Sequence, residues 1–530
     1  MKALRKEPAR RYPSVEEMRE DSARHLEGRP ISAPLYFAPT VRFNARDDAA
    51  EAGEESIAIL PFKLLETRSA EDTGDEFLGV GLADALVTRL SSLRRFTLRP
   101  TSSVMRYGDR ESDPIVAGRE LGVSFVLDGR IRRFGNSIRV NAQLLDVREG
   151  TTVWAGQFDE KFTDVLHLED TISAQVAEAL VPQLTGDERR RLAKRGTDNA
   201  EAFESYLRGR YHWSTFTEEG FARALTCYHQ AIALDPGYAL AYAGIADYYN
   251  FLGVYGVLPF VECSAAAKEA ATKAVALDGA LAEAYSALGF AVLCHDFDWK
   301  TAETYHLRAI ELNPNYATAR QWYSFHLQME GRHDEAIREA RRALELDPFS
   351  LSVQQTMGWC YYMARRADDS LAAYRKLLAA EPRFAYGHIT YSFTLRQAGR
   401  HDEALEEVRR AEQLDPRSAI ISAAVANVLF YARRYDEAVK QCRKALELDP
   451  GSVAAYTLMR WAYESRGMGA EALEAFERER AFAGDTPTTR LKRAQVLAAA
   501  GRGDEARSIL KELTARRERE WVSAHEVAVA

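Results

Sequence analysis

Ala340–Pro348 reads ARRALELDP, Val408–Pro416 reads VRRAEQLDP and Cys442–Pro450 reads CRKALELDP. Each is an amphipathic helical turn that ends in an acid-proline pair. Acid-Pro or Asn-Pro pairs end at Pro314, Pro348, Pro382, Pro416 and Pro450, so the interval is 34 residues throughout. A small residue keeps the same step at Ala336, Ser370, Ala404, Ala438, Ala472 and Ala506. Within each period two stretches carry apolar residues at helical spacing. Short polar turns part them, such as Gly331-Arg332-His333-Asp334 and Gly399-Arg400-His401-Asp402. Glycine there takes the left-handed conformation that ends a helix. The small residue lets the second helix approach the first, and proline, which has no N–H to donate, stops it. Neither helix can bury its apolar face alone, so neighbouring units must stack.

A helix–turn–helix unit of this length with this small-residue and proline pattern resembles the tetratricopeptide repeat. Ala287-Leu288-Gly289 and Tyr361 in first helices, and Tyr374 and Phe476 in second helices, add to the likeness. The resemblance covers residues 201–520 and about nine units, with a longer inter-helix connection near VYGVLPFVE and one extra residue near Phe297-Asp298-Trp299. Residues 521–530 read as the opening helix of a further, truncated repeat. The resemblance implies a right-handed α-solenoid whose concave groove, lined by first helices, holds a protein or peptide. The position eleven residues before each of the first five small residues is Phe325, Trp359, Phe393, Asn427 and Trp461, joined by Phe290 upstream. Five of the six are aromatic. Such a stripe is either core or groove surface. If groove, it favours an apolar or amphipathic partner segment and supplies its anchors.

Residues 56–182 differ in texture. Ser56–Phe62 is a short apolar run closed by a proline-containing turn, expected to be a buried strand. Phe77–Leu93 has helical periodicity. Ile138, Val140, Ala142 and Leu144 alternate with polar residues, the pattern of a sheet buried on one face. Strands are expected on either side, near Phe125–Ile131 and Thr152–Phe158, and a helix over Leu166–Leu180. The stretches SIAILPF, GLADALVTRLSSL and GRELGVSFVLDGRIRRFGNSIRVNAQLLDVREGTTVWAGQFDE resemble the TolB-like domain that precedes tetratricopeptide arrays in bacterial signalling proteins. Gly79-Val80-Gly81 lacks the third glycine and the lysine of a phosphate loop and reads as a packing feature. A basic segment, 183–200, joins the two regions.

Residues 1–31 resemble the end of a bacterial serine/threonine kinase domain. Pro8 to Arg11 match a Pro-x-x-Arg turn, and Ser14 is placed to cap a following helix. The glycine-rich loop, the strand lysine, the His-Arg-Asp loop and the Asp-Phe-Gly segment are all missing from the sequence. Residues 32–55 read as a tether. The module order implies the substrate-binding or regulatory portion of a kinase-like signalling protein, without catalysis in this chain. The alternative is the sensory half of a transcriptional regulator, although residues 1–55 carry no basic recognition helix.

Composition is consistent with this reading. A net charge of −8 over 530 residues gives no concentrated basic footprint for nucleic acid. Five isolated cysteines form no CxxC pair, which points to reduced thiols in a cytoplasmic protein and to neither zinc nor disulfides. No apolar run reaches the roughly 20 residues that cross a bilayer. No metal or other cofactor is implied; His295 near Asp296 and Asp298 falls in a repeat turn that collects such residues.

Overall fold

A computed structural model describes residues 55–65, 76–93, 96–108, 113–134, 137–161, 165–181, 184–214, 217–254, 260–483 and 487–516. The kinase-like stretch 1–31 and the truncated repeat 521–530 lie outside them. The chain is mainly helical, an α-solenoid preceded by a small α/β domain. Its described residues divide into two compact units, 55–383 and 384–516.

In the first unit, strand β1 (Ser56–Ile59) lies between β3 (Thr97–Leu98) and β4 (Phe125–Phe134), parallel to both. The short β2 (Lys63–Leu64) also runs parallel to β4. β5 (Ser137–Asp146) and β6 (Thr151–Lys161) continue the sheet antiparallel. The expected alternation holds in β5, where Ile138, Val140, Ala142 and Leu144 are buried. One face of the sheet is covered by α1 (Glu76–Leu90) and α4 (Val165–Leu180). The other is covered by α2 (Thr101–Val104) and α3 (Pro114–Leu121), packed on Ala58, Val126 and Val147. Asp113 caps α3 by accepting from Ile115 N at 2.8 Å, and Gly122 ends it with φ of 64°. The elements β2, β3, α2 and α3 are too short to show a period in the sequence.

Gly79 and Gly81 are indeed packing glycines. A Cβ on Gly79 would lie 2.1 Å from the Phe62 carbonyl oxygen, and one on Gly81 would lie 2.8 Å from Leu207 Cβ. The second contact brings α1 against the first repeat helix. The basic segment contains a short helix, α5 (Gly186–Leu192), opened by a capping box between Thr185 and Glu188.

Five helical hairpins follow in the same unit. They pair α6 (Ala200–Ser214) with α7 (Glu218–Leu234), α8 (Ala239–Val254) with α9 (Phe260–Leu277), and α10 (Ala282–His295) with α11 (Trp299–Leu312). Next come α12 (Ala317–Met329) with α13 (His333–Leu346), and α14 (Leu351–Met363) with α15 (Ala367–Ala380). The second unit holds four more hairpins. These are α16 (Ala385–Gln397) with α17 (His401–Leu414), α18 (Ala419–Tyr431) with α19 (Tyr435–Leu448), α20 (Val453–Ser465) with α21 (Gly469–Ala483), and α22 (Pro487–Ala499) with α23 (Gly503–Arg516).

The small residues sit where the helices touch: Ala336, Ala404 and Ala438 are fully buried. Ser370, equally buried, keeps its hydroxyl satisfied by donating to the Gly358 carbonyl at 2.9 Å. The acids of the inter-helix turns are not the N-caps that turn chemistry suggests. Arg332, Arg366, Arg400 and Arg434 occupy the cap positions without a side-chain cap bond, and the acids fall inside the first turn. There they favour the positive end of the helix dipole and pair with the cap arginine, as Arg434 does with Glu437 at 2.6 Å. Asp298 is a true cap, accepting from Thr301 N at 3.1 Å. The closing acids shape the turn between units: Asp235 and Asp449 accept from the N–H two residues on.

Gly331, Gly399, Gly467 and Gly501 take φ between 71° and 78° at the helix ends. Arg365 and Arg433 hold the matching turn at φ of 57° and 59°, a conformation that costs a side chain about 1–2 kcal/mol. Arg433→Gly removes that cost and adds back some unfolded-chain entropy. The net expectation is a gain of about 0.5–1 kcal/mol in urea unfolding. A loss of stability would show that the arginine side chain contributes more than its backbone costs.

Candidate functional site

The candidate surface is built on the first helix of each hairpin. In the first unit that inner face is already engaged by the chain's own α/β module. Arg210 on α6 donates from Nε to Asp84 Oδ2 at 2.9 Å and from Nη2 to Asp84 Oδ1 at 3.1 Å. Thr101 also donates to Asp84, at 2.6 Å. Burial works against the Arg210 charge, and the Asp84 carboxylate outweighs it, holding the guanidinium protonated. Arg208 lays its guanidinium over the Phe77 ring at 4.1 Å.

The residues that close the repeats supply a second set of ties. Asp347 accepts from Ser103 Oγ at 2.6 Å and from the Ser102 hydroxyl. Arg99 donates to the Glu345 carbonyl and, at 3.3 Å, to that of Leu346. Asn315 donates to the Phe96 carbonyl at 2.6 Å, and Asn313 to Ser91 Oγ at 3.2 Å. None of these ties was identified from the sequence. Their only signal is that Asp347 and Asn313 recur as motif residues, which masks their separate task.

The six stripe residues fall into two groups. Phe290 does not line an open surface: it is 1 % exposed, packed between Trp322 (ring centroids 4.1 Å apart) and Phe325 (5.4 Å). Shape explains this, because Trp322, on the first helix of the next repeat, lies against its ring. Phe325 and Trp359 are half-buried, and Trp359 stacks on Tyr362 at 4.8 Å. In the second unit Phe393, Asn427 and Trp461 are half-buried. Arg396 ties two of them: it lies 5.4 Å over Phe393, 4.0 Å over Tyr431, and donates to Asn427 Oδ1 at 2.9 Å. Trp461 rests against Phe430 at 5.8 Å, and Tyr431 is 46 % exposed. The row is thus an aromatic strip carrying a fixed cation. The sequence search passed over Arg396 and Tyr431 because it followed one position per repeat.

The histidine and cysteine readings can be placed as well. Asp296 accepts from Lys268 Nζ at 2.8 Å, and His295 Nδ1 lies 3.4 Å from Ser264 Oγ. With Asp298 capping its helix, these residues form a turn with ordinary contacts. A closer group exists at Glu303, His326 and Glu330, whose ligating atoms lie within 4.8 Å of one another. Arg332 already reaches both carboxylates, so a guanidinium holds the place of a cation. Burial pushes the thiols of Cys294, Cys360 and Cys442 up to about 12, which leaves them inert.

With this geometry in view, comparison with known proteins is informative. Residues 421–452, spanning α18 and α19, match the tetratricopeptide repeat family. That hairpin is a tetratricopeptide repeat by this match, and the hairpins around it share its 34-residue interval. Residues 53–175, the region that resembles a TolB-like domain, match the family described as HilA/YgeH-like transcriptional regulator, second domain. A curated relative, putative adenylate cyclase 3 of Rhizobium meliloti, is 30% identical over 191 residues, 36% of this chain and 32% of that protein. The chain therefore matches about a third of that relative's length. Among solved structures, yeast Tom70 is 15% identical with a TM-score of 0.41, covering 84% of this chain and 86% of that one. Pseudomonas aeruginosa pilF is 19% identical with a TM-score of 0.31, covering 38% and 93%. Tetratricopeptide repeats make the chain a protein–protein interaction scaffold. No helix among the described residues is long and apolar enough to cross a membrane.

Asp247 on α8 gives the first unit a pH response. It faces Arg210 from α6, Asp84 from α1, Glu283 from α10 and the Tyr316 hydroxyl just before α12. Burial pushes its carboxyl from the ordinary range up to about 7, with Arg210 pulling the other way and Glu283 adding to the rise. Between about pH 4 and 7 the native chain holds a proton that the unfolded chain has lost, so stability falls as pH rises through that window. Burial pushes Glu169 up to about 7 as well, against the pull of Arg89, with a slope of the same sign. Asp247→Asn is expected to stabilise the chain by about 1–3 kcal/mol at pH 8 and hardly at all near pH 4. Urea unfolding at both values checks it; equal gains at the two would assign the effect to something other than proton binding.

Proposed function

We propose that this chain is the partner-binding portion of a modular bacterial signalling protein, working in the cytoplasm beside an effector domain. The observation that carries the reading is the strip of Phe393, Asn427 and Trp461, bordered by Arg396 and the exposed Tyr431. Half-buried aromatics backed by a fixed cation offer large contact area at low entropic cost. They suit an amphipathic protein segment whose apolar residues sit on the rings. The role needs no catalytic group, cofactor or nucleic-acid contact from this chain.

Two effectors are consistent with the sequence. The kinase-like stretch 1–31 favours a serine/threonine kinase, to which the array would bring a substrate. The match of residues 53–175 to a transcriptional-regulator domain favours a DNA-binding effector. The relative named an adenylate cyclase shares about a third of its length with this chain, which fits a regulatory body joined to varied outputs. In-frame sequence upstream of Met1 separates the two: a kinase lobe supports the first, a winged helix the second.

The groove is tested by replacing Phe393 and Trp461 together with alanine and comparing partners captured by each chain from a lysate of the source organism. A partner bound by the native strip should lose at least about tenfold in affinity, about 1.4 kcal/mol, with the helical circular dichroism unchanged. Equal recovery by the folded double variant would remove the strip from the proposal.

A further inference from the structure

A cavity of about 630 Å³ lies between α1, the segment from β3 to α2, and the inner helices of the first repeats. That is room for a small organic ligand. Its charge is lopsided. The carboxylates of Asp84, Asp247, Glu283, Asp347 and Glu381 line it, against the guanidinium groups of Arg106 and Arg210. Arg210 is committed to Asp84, and Asp347 to two serine hydroxyls. Asp247 and Glu283, on the first helices of successive repeats, have no ion-pair partner among the described residues.

Two orphaned polar atoms border the same space. Asp247 Oδ1 is closed off from solvent and accepts no hydrogen bond, while its Oδ2 has only a long 3.5 Å contact from the Tyr316 hydroxyl. Trp322, 6 % exposed, has an indole Nε1–H with no acceptor. Buried polar groups in native proteins are nearly always satisfied, so each calls for a partner that the protein does not supply. Part of the wall is aromatic, with Trp213 and Phe251 edge to face at 5.5 Å. Aromatic faces attract a cation that carries little hydration.

We infer that this cavity binds a small amino alcohol, its ammonium group held by Asp247 and Glu283 and its oxygen accepting from the Trp322 indole. An anionic ligand is disfavoured by the excess of carboxylates. A bare metal ion would leave the indole N–H and the aromatic wall unused. Because the walls come from both the α/β module and the repeats, an occupant ties the two together. The site is independent of the partner strip on α16, α18 and α20, so either assignment can fail without the other.

The test uses the full chain at pH 8, above the range in which Asp247 holds a proton, with ethanolamine as the probe, choline as a cation with no N–H to donate, putrescine as an amine without oxygen, and acetate as the anionic control. Trp fluorescence titration and the thermal midpoint read the binding. Ethanolamine should change the fluorescence saturably and raise Tm, choline should bind more weakly, and acetate should do neither. An Asp247→Asn, Glu283→Gln double variant should bind at least about tenfold more weakly while keeping its circular dichroism, since neutral amides remove the charge and keep the shape. Putrescine should bind more weakly than ethanolamine; equal affinity would overturn the role given to Trp322. No response to ethanolamine, or a response that survives in the double variant, would overturn the site itself.

Discussion

The contact between α1 and α6 is the constraint on which the first unit rests. At Gly81 a missing side chain lets the helices close until Leu207 fills the space, and one turn on the Asp84–Arg210 pair locks their register. The pair itself adds little net stability, since two charges have left water to form it. Its effect is directional: any slip of α1 along α6 would strand a guanidinium among aromatic rings. The apolar burial around it supplies the stabilisation. A single core runs from Ile57 and Leu127 in the sheet, through Leu82 and Leu86, to Tyr228, Leu288 and Trp322 in the repeats.

This arrangement changes what the inner helices can do. In an isolated solenoid the first-helix face is the natural place for a ligand. Here α6 spends its face on α1, and polar residues in the turns before α12 and α14 tie those repeats to the α/β module, while α8 and α10 face the cavity between. What remains is a partly open cavity with its own electrostatics. The hairpins from α16 onward keep their aromatic row with an arginine threaded through it. One repeating plan thus carries two kinds of surface, set by what each first helix places at a few positions.

The repeat architecture was legible because its signals are local. Period, small residue, helix-ending turn and proline each act within a single hairpin, and Ala336, Ser370 and Ala404 lie where that logic puts them. The sheet was partly legible: β5 alternates cleanly, whereas β2 and β3 are two residues each and carry no pattern. The docking was not legible, because its pairs are remote. Asp84 and Arg210 are 126 residues apart, and Ser103 and Asp347 are 244. The fate of Phe290 was hidden for a related reason. Its position in the repeat reads equally as core or as groove surface, and the large Trp322 packed against it makes it core.

The sheet ends at β6, an eleven-residue strand whose one strand partner among the described residues is β5. Its far edge therefore offers a ladder of amide and carbonyl groups of the sort that recruits a strand from another molecule. Val153, 44 % exposed, would make the start of that edge adhesive. Asp159, Glu160 and Lys161 bring mixed charge to its end, and Asp159 is held at 2.5 Å by Arg139 across the sheet. Edge-to-edge pairing through β6 would have to bring these ionic groups together, so they oppose strand recruitment at that rim.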